Sequence, residues 1–208
     1  MRFWDDRVVP VLVDKTLSTG PVHRERRAVC AGLSGRVLEI GFGSGLNLTH
    51  YPTAVSEVAA VEPSDRGWEL SGRRRAASSV PVTRIGLDGE DVAAADHGFD
   101  HALVTFSLCT IPDPARALRE VRRLVRPGGT LAFLEHGLSP DARVARWQHR
   151  LDPVERRVAG GCHLTRDVPA LVRHAGFGVD DLAAAYLPGP AIMRPWGYLY
   201  RGIATTPG

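Results

Sequence analysis

The stretch VLEIGFGSGLN, Val37 to Asn47, decides the fold. An apolar run of strand type ends in alternating glycines. Gly41, Gly43 and Gly45 let the backbone turn tightly and come close to a ligand. A strand feeding such a loop is expected to open the first unit of a parallel sheet that binds a nucleotide-like group. Yet a carboxylate, Glu39, precedes the first glycine. It would repel a pyrophosphate and attract a cation.

The rest of the chain reads outward from this junction. Residues 1–34 read as helical, interrupted at STGPVH. Arg36 to Ile40 is the first strand, and Gly45 to Tyr51 is expected to open a helix. A second strand, Val58 to Val61, ends at Glu62. SDRGWELSGRRRAAS follows as a helix with Ser64 or Asp65 as its cap. VPVTRIGLD and FDHALVTFS are the third and fourth strands, the fourth apolar enough to be buried on both faces. PDPARALREVRRLVRPGG is a helix with Pro114 in its first turn and Pro127-Gly128-Gly129 as its stop. TLAFLEH is a fifth strand. Five alternations of strand and helix mean a parallel sheet covered on both faces, with ligands beyond the carboxyl ends of the strands. The rhythm then changes. Asp141 to Val158 is an extra helix, GCHLTRD a loop and DVPALVRHAGF a helix. VDDLAAAYL and WGYLYRGIA are a last pair of strands, expected to be antiparallel.

Composition narrows the classes. The 208 residues suit one domain with a sizeable core, and the net charge of +3 says little about partners. The run Arg73 to Arg75 is a solvated helix face rather than a nucleic-acid stripe, so no nucleic-acid partner is expected. Cys30, Cys109 and Cys162 are far apart and contain no CxxC pair, which argues against disulfides and a cysteine-rich zinc site. No leader and no apolar run of spanning length is seen, so a cytoplasmic location without a membrane anchor is expected.

Glu39 separates two ligands. A dinucleotide would share the glycine loop, and Glu62 would serve its ribose as well. S-adenosylmethionine has an ammonium, a sulfonium and no phosphate, so a carboxylate at position 39 suits its methionine half. The alternative is that Glu39 pairs with a local arginine or a backbone amide.

VLEIGFGSGLN, AVEPSD, GLDGEDVAAADHGFDHALVTFSLCTI and ALREVRRLVRPGGTLAFLEH, in this order, resemble the class I S-adenosylmethionine-dependent methyltransferases. The resemblance runs from about Arg36 to the end. It implies a Rossmann-like, doubly wound α/β fold of seven strands, mostly parallel, the last antiparallel. It also implies a site. Glu39 and the backbone of Gly41, Phe42 and Gly43 would hold the methionine end. Glu62 would take the ribose hydroxyls, Asp88 the adenine amino group with the Gly89 amide beside it, and Ser107 would lie near the transferred methyl. Gly45, Asn47, Pro63, Ser64 and Leu108 complete the cofactor set. Asp88 could instead be turn chemistry. RWQHRLDPVERRVAGGCHLTRD and GYLYRGIA are similar to small methyltransferases that include animal thiol methyltransferases, and more distantly to quinone-ring methyltransferases.

Acceptor chemistry is left to the C-terminal half. His136, after the fifth strand, and His163 are candidate general bases, with Glu135 orienting an imidazole. Each could equally be structural. Trp147, Gln148 and Arg150 would line an acceptor pocket, or belong to an ordinary amphipathic helix. Residues 1–34 would form a helical cap and 137–166 a helical insert over the acceptor. No His, Asp or Glu spacing demands a metal, and a loosely held magnesium ion stays open. The expectation is O-methylation of a small hydroxylated acceptor, a sugar, polyol derivative or phenol. Thiol S-methylation and quinone-precursor C-methylation are the nearest alternatives, and a non-catalytic partner subunit and a dehydrogenase the rivals. Exposed N-terminal helices would allow a homodimer.

Overall fold

The structure, a computed structural model, describes residues 3–206. Seven strands form one sheet in the order β3-β2-β1-β4-β5-β7-β6. They are β1 (Gly35–Ile40), β2 (Val55–Val61), β3 (Val82–Gly86), β4 (Phe99–Thr105), β5 (Val125–His136), β6 (Gly178–Tyr186) and β7 (Tyr198–Thr205). The pairs joining β1 to β5 are parallel, and β7 runs antiparallel to both its neighbours. This is the Rossmann-like methyltransferase topology implied by the resemblance.

The central strands are apolar on both faces because both faces are covered. Leu131 and Phe133 of β5 point to one side, into a cluster with Leu118, Val121 and Leu124. Ala132 and Leu134 point to the other, where they meet Val29, Cys30 and Leu103. The first cluster is closed by α5 (Pro114–Leu124) and α7 (Val168–His174). Asp113 caps α5 by accepting from the Arg116 amide, and the helix buries Ala117, Leu118, Val121 and Leu124 at helical spacing. The second cluster lies under α2 (Gly20–Cys30), which buries Val22, Val29, Cys30 and, at the same spacing, Arg26.

A short π-helical turn, Trp4–Val8, leads into α1 (Val9–Thr16), and residues 17–19 break it from α2, where STGPVH interrupts the helical pattern. Two sequence expectations fail locally. Gly45 to Tyr51 forms only a single 3₁₀ turn, Leu48–His50, and not the expected helix. Gly45 has φ +75°, and Pro52 follows too soon for a helix to propagate. The helix after Glu62 divides into α3 (Asp65–Leu70) and α4 (Gly72–Ala77). Ser64 does cap the first, accepting from the Gly67 amide. Beyond β5, Asp141 caps α6 (Ala142–Val158) through the Arg143 and Val144 amides, and α8 (Arg194–Gly197) precedes β7. Among the described residues no helix is long and apolar enough to cross a membrane.

The strand order reverses between β1 and β4, and side chains following β1, β2 and β4 converge beyond that crevice. The core under α5 should be sensitive to volume. Leu118→Ala is expected to cost about 2–5 kcal/mol in urea unfolding, since Leu118 is wholly buried.

Candidate active site

The glycine loop is held from two sides. Gly41 has φ +73°, and a Cβ there would lie 1.8 Å from the Ser107 hydroxyl oxygen, so the chain from β1 passes directly over the chain from β4. Gly43, at φ +55°, donates its amide to Glu62 Oε2 at 2.5 Å. The Ser64 amide donates to Glu62 Oε1 at 2.7 Å. Glu62 thus fastens the loop after β1 to the turn after β2. Burial raises its carboxyl pKa, and the two amides pull the other way.

Glu39 does not stand where the sequence reading puts it. Its side chain is wholly buried and is not part of the cavity wall. It accepts from Asn47 Nδ2 at 2.7 Å and from the Tyr51 hydroxyl at 2.5 Å. Arg26 stands in front of it, donating to Asn47 Oδ1 at 2.8 Å and Thr105 Oγ1 at 2.9 Å. Glu39 therefore pairs neither with an arginine nor with a backbone amide but with two local side chains, and a guanidinium lines the cavity. Burial lowers Arg26 to about 10, against the pull of Glu39. Arg26 Nε is buried with no protein partner. Asn47 belongs to this support and is likewise absent from the cavity wall, as is Gly45.

A cavity of about 780 Å³ lies beyond the strand ends. Gly41, Phe42, Gly43, Glu62, Pro63 and Ser64 form one wall, and Asp88, Gly89 and Ser107 also line it. Asp88 Oδ1 accepts from the Glu90 amide at 2.8 Å, so the residue does serve its turn while reaching the cavity. Leu108, expected in the cofactor set, is instead buried beside the wall. Asp5, Val9, Pro10 and Val13 roof the cavity, facing Ala159 and Gly160 at the end of α6. Trp4 Nε1 donates to the Val158 carbonyl at 2.8 Å across this roof. Asp14 fixes it to the glycine loop, accepting from Ser44 Oγ at 2.6 Å and pairing with Arg74 at 2.9 Å.

The acceptor residues read from sequence do not line this cavity. Glu135 Oε1 accepts from the Ser107 and Leu108 amides at 2.7 and 3.0 Å, holding the loop after β4 from behind. Burial pushes its carboxyl up to about 7. His136 Nε2 lies 2.9 Å from Cys162 Sγ. His163 Nδ1 lies 3.6 Å from Asp152 Oδ2, and burial, with Arg166 next, lowers its pKa. Gln148 is a buried brace: it accepts from the Ser139 amide and donates to the Gly137 and Pro195 carbonyls. Trp147 is 55% exposed, with the Arg150 guanidinium over its ring. Helix spacing puts Gln148 inward and its neighbours outward, so these three share no pocket.

Sequence reasoning missed Arg26, Phe106, Thr110 and Ile111, all on the wall. Arg26 did leave a signal, an arginine at a buried-face position of an apolar helix stripe. Phe106 left none. It has φ +53°, a strained value for an aromatic residue, with Arg26 5.1 Å from its ring centre.

The chain is similar in sequence and fold to known proteins. A methyltransferase-domain family model matches residues 38–133. The thiol S-methyltransferase TMT1B of Homo sapiens is 34% identical over 172 residues, 80% of this chain and 69% of the human protein. The chain belongs to the class I S-adenosylmethionine-dependent methyltransferases. A demethylmenaquinone methyltransferase of Paenarthrobacter aurescens is 26% identical over 89% of this methyltransferase and 67% of that protein. A crystal structure of an S-adenosylmethionine-dependent methyltransferase from Mesorhizobium loti superposes with TM-score 0.65 at 18% identity, covering 91% of this chain and 99% of that one, a likeness of fold. The chain spans 66–72% of the length of the thiol methyltransferases it matches.

The buried Glu39 gives this methyltransferase a pH signature. Burial lifts its carboxyl to about 7, while Tyr51, Asn47 and Arg26 pull it down. The folded value lies above the unfolded one, so its contribution is present at low pH and is lost as pH rises through about 7. Thermal melts should show the wild type losing stability relative to Glu39→Gln between about pH 4.5 and about pH 7. A constant difference across that window would mean that ionising Glu39 costs the fold nothing.

Proposed function

We propose that this methyltransferase S-methylates a small thiol. The observation that carries the reading is the cavity wall, which holds hydroxyls, apolar side chains, carboxylates and the Arg26 guanidinium and, among the described residues, no imidazole. A sugar or phenol hydroxyl loses a proton as it attacks, and a positioned base is worth about 10²–10⁴-fold. With His136 and His163 off the wall, the expected O-methylation lacks its histidine base. A thiol ionises near pH 8.5 and supplies its own nucleophile. The human relative is itself named a thiol S-methyltransferase.

S-adenosylmethionine supplies an activated methyl on a sulfonium. The residues present suit its other groups. Arg26 offers a buried guanidinium with an unpartnered Nε to the α-carboxylate. Glu62 keeps lone pairs for the ribose diol, and Asp88 with the Gly89 amide serves the adenine edge. At Gly89 a Cβ would meet Ile40 at 2.8 Å, which marks a cradle that needs a bare backbone. Ser107 and Phe106 stand at the methyl end, where holding thiolate and methyl at attack distance is the main source of rate. The described part of the expected N-terminal cap, residues 3–34, acts as the cover of this site; residues 1 and 2 lie outside the described residues. A second reading, C-methylation of a quinone precursor, is favoured by the apolar roof of Val9, Pro10, Val13 and Leu17 and by the demethylmenaquinone methyltransferase relative.

Labelled-methyl assays over thiols, phenols, sugars and quinols separate these readings. The expected result is thiol turnover that rises with pH as the thiol ionises, with His163→Ala within about twofold of wild type. Turnover of a phenol or sugar that His163→Ala abolishes would restore the hydroxyl reading. Arg26→Met should weaken S-adenosylhomocysteine binding by about 1.5–3 kcal/mol, the worth of a charged hydrogen bond. It should leave methylthioadenosine, which has no carboxylate, unchanged. Equal loss for both ligands would reduce Arg26 to a structural role.

A further inference from the structure

Behind the cavity wall, three buried side chains from three segments meet. Cys109 lies in the loop after β4, His136 ends β5, and Cys162 lies in the loop after α6. Their ligand atoms all fall within 4.8 Å of one another. The wide spacing that argued against a cysteine cluster is removed by folding, because the parallel sheet brings the ends of β4 and β5 side by side. The Ala159–Cys162 turn is then pinned to them by the His163 amide, which donates to the Cys109 carbonyl at 2.8 Å.

We propose that Cys109, His136 and Cys162 form a binding site for a thiophilic cation of the zinc(II) type, which clips the loop after α6 to the ends of β4 and β5. Two thiolates and an imidazole are the soft donor set that such a cation selects, and two thiolates balance its charge in a buried place. The dimensions are close. Bonds of about 2.0 Å to nitrogen and 2.3 Å to sulfur at tetrahedral angles place ligand atoms roughly 3.5–3.8 Å apart. His136 Nε2 and Cys162 Sγ, at 2.9 Å, would open by well under 1 Å.

A second observation points to a ligand here. Among the described residues three buried side-chain atoms have no hydrogen-bond partner; one is Nδ1 of His136 itself, and another is Oε2 of Glu135, the residue before it. Such orphans are costly unless something completes them. A cation bound to the imidazole and thiolates would raise the demand for a neighbouring carboxylate, the usual outer partner of a metal-binding histidine. Arg166 donates to the Leu108 and Ile111 carbonyls beside the cluster, so the loop carrying Cys109 is held from the same side. Thr110 and Ile111, adjoining Cys109 in sequence, and Gly160, two residues before Cys162, line the cavity. The cation would therefore stiffen the acceptor end of the site without entering it.

Cobalt(II) titration of the fully reduced full-length protein tests this directly. The chain has three cysteines, so in Cys30→Ala any sulfur-to-cobalt charge-transfer band comes from Cys109 or Cys162. The expected result is that band at one equivalent per chain in wild type and Cys30→Ala, displaced by zinc and absent in Cys162→Ala. Zinc should also raise the melting midpoint of Cys30→Ala by several degrees. The Cys30→Ala spectrum decides the matter even where Cys162→Ala does not fold. No cobalt uptake by the reduced protein, a spectrum of oxygen and nitrogen ligands alone, or a band that survives in folded Cys162→Ala overturns the proposal.

Discussion

The site depends on one buried polar chain, Arg26 to Asn47 to Glu39 to Tyr51. It joins α2, the loop after β1 and β1 itself, and through Thr105 it reaches the end of β4. Each member is too polar to be buried alone and is bonded to the next, with Arg26 Nε alone left unpartnered among the buried side-chain atoms of this polar chain. The pull of Glu39 on the Arg26 guanidinium works against the cost of burying that cation. The result is a positive group displayed to the cavity with a negative group concealed behind it. The acid at the end of β1 is thus bonded to Asn47 and Tyr51, with Asn47 in turn bonded to Arg26.

The rest of the cavity follows from the sheet. Reversal of strand order between β1 and β4 leaves a crevice that neither neighbouring helix fills. Glycines at 41, 43 and 45 let the first loop cross it, and Glu62 and Glu135 hold the loops after β1 and β4 by their amides. Two carboxylates thus do the same job from opposite sides. The N-terminal helices close the top through Asp14 and Trp4. A cavity built this way is rigid below, where buried networks hold it, and is closed above by a segment bound through a few polar contacts.

Much of the fold was legible because its signals are local and repeated. Strand, loop and helix periods alternated, and the Ser64 cap and Pro114 stood where helices begin. The helix expected after Gly45 failed because hydrophobic spacing cannot register three positive-φ glycines and a following proline. One wall of the cavity was legible too, since Gly41, Gly43, Glu62, Asp88, Gly89 and Ser107 each follow a strand and so share one end of the sheet. The acceptor side was not. Trp147, Gln148 and Arg150 are adjacent in sequence, and a helix sends adjacent residues in different directions.

The sequence by itself determined the order of the strands, most of the helices and the family, because those depend on periodicity and on contacts within a few residues. Tertiary structure decided which polar side chains face the cavity. It turned Glu39 and His136 inward, brought Arg26 forward, and gathered Cys109 and Cys162 from 53 positions apart. Such choices depend on which buried charges find partners across the sheet, and a buried charge is tolerated only where the whole fold supplies that partner.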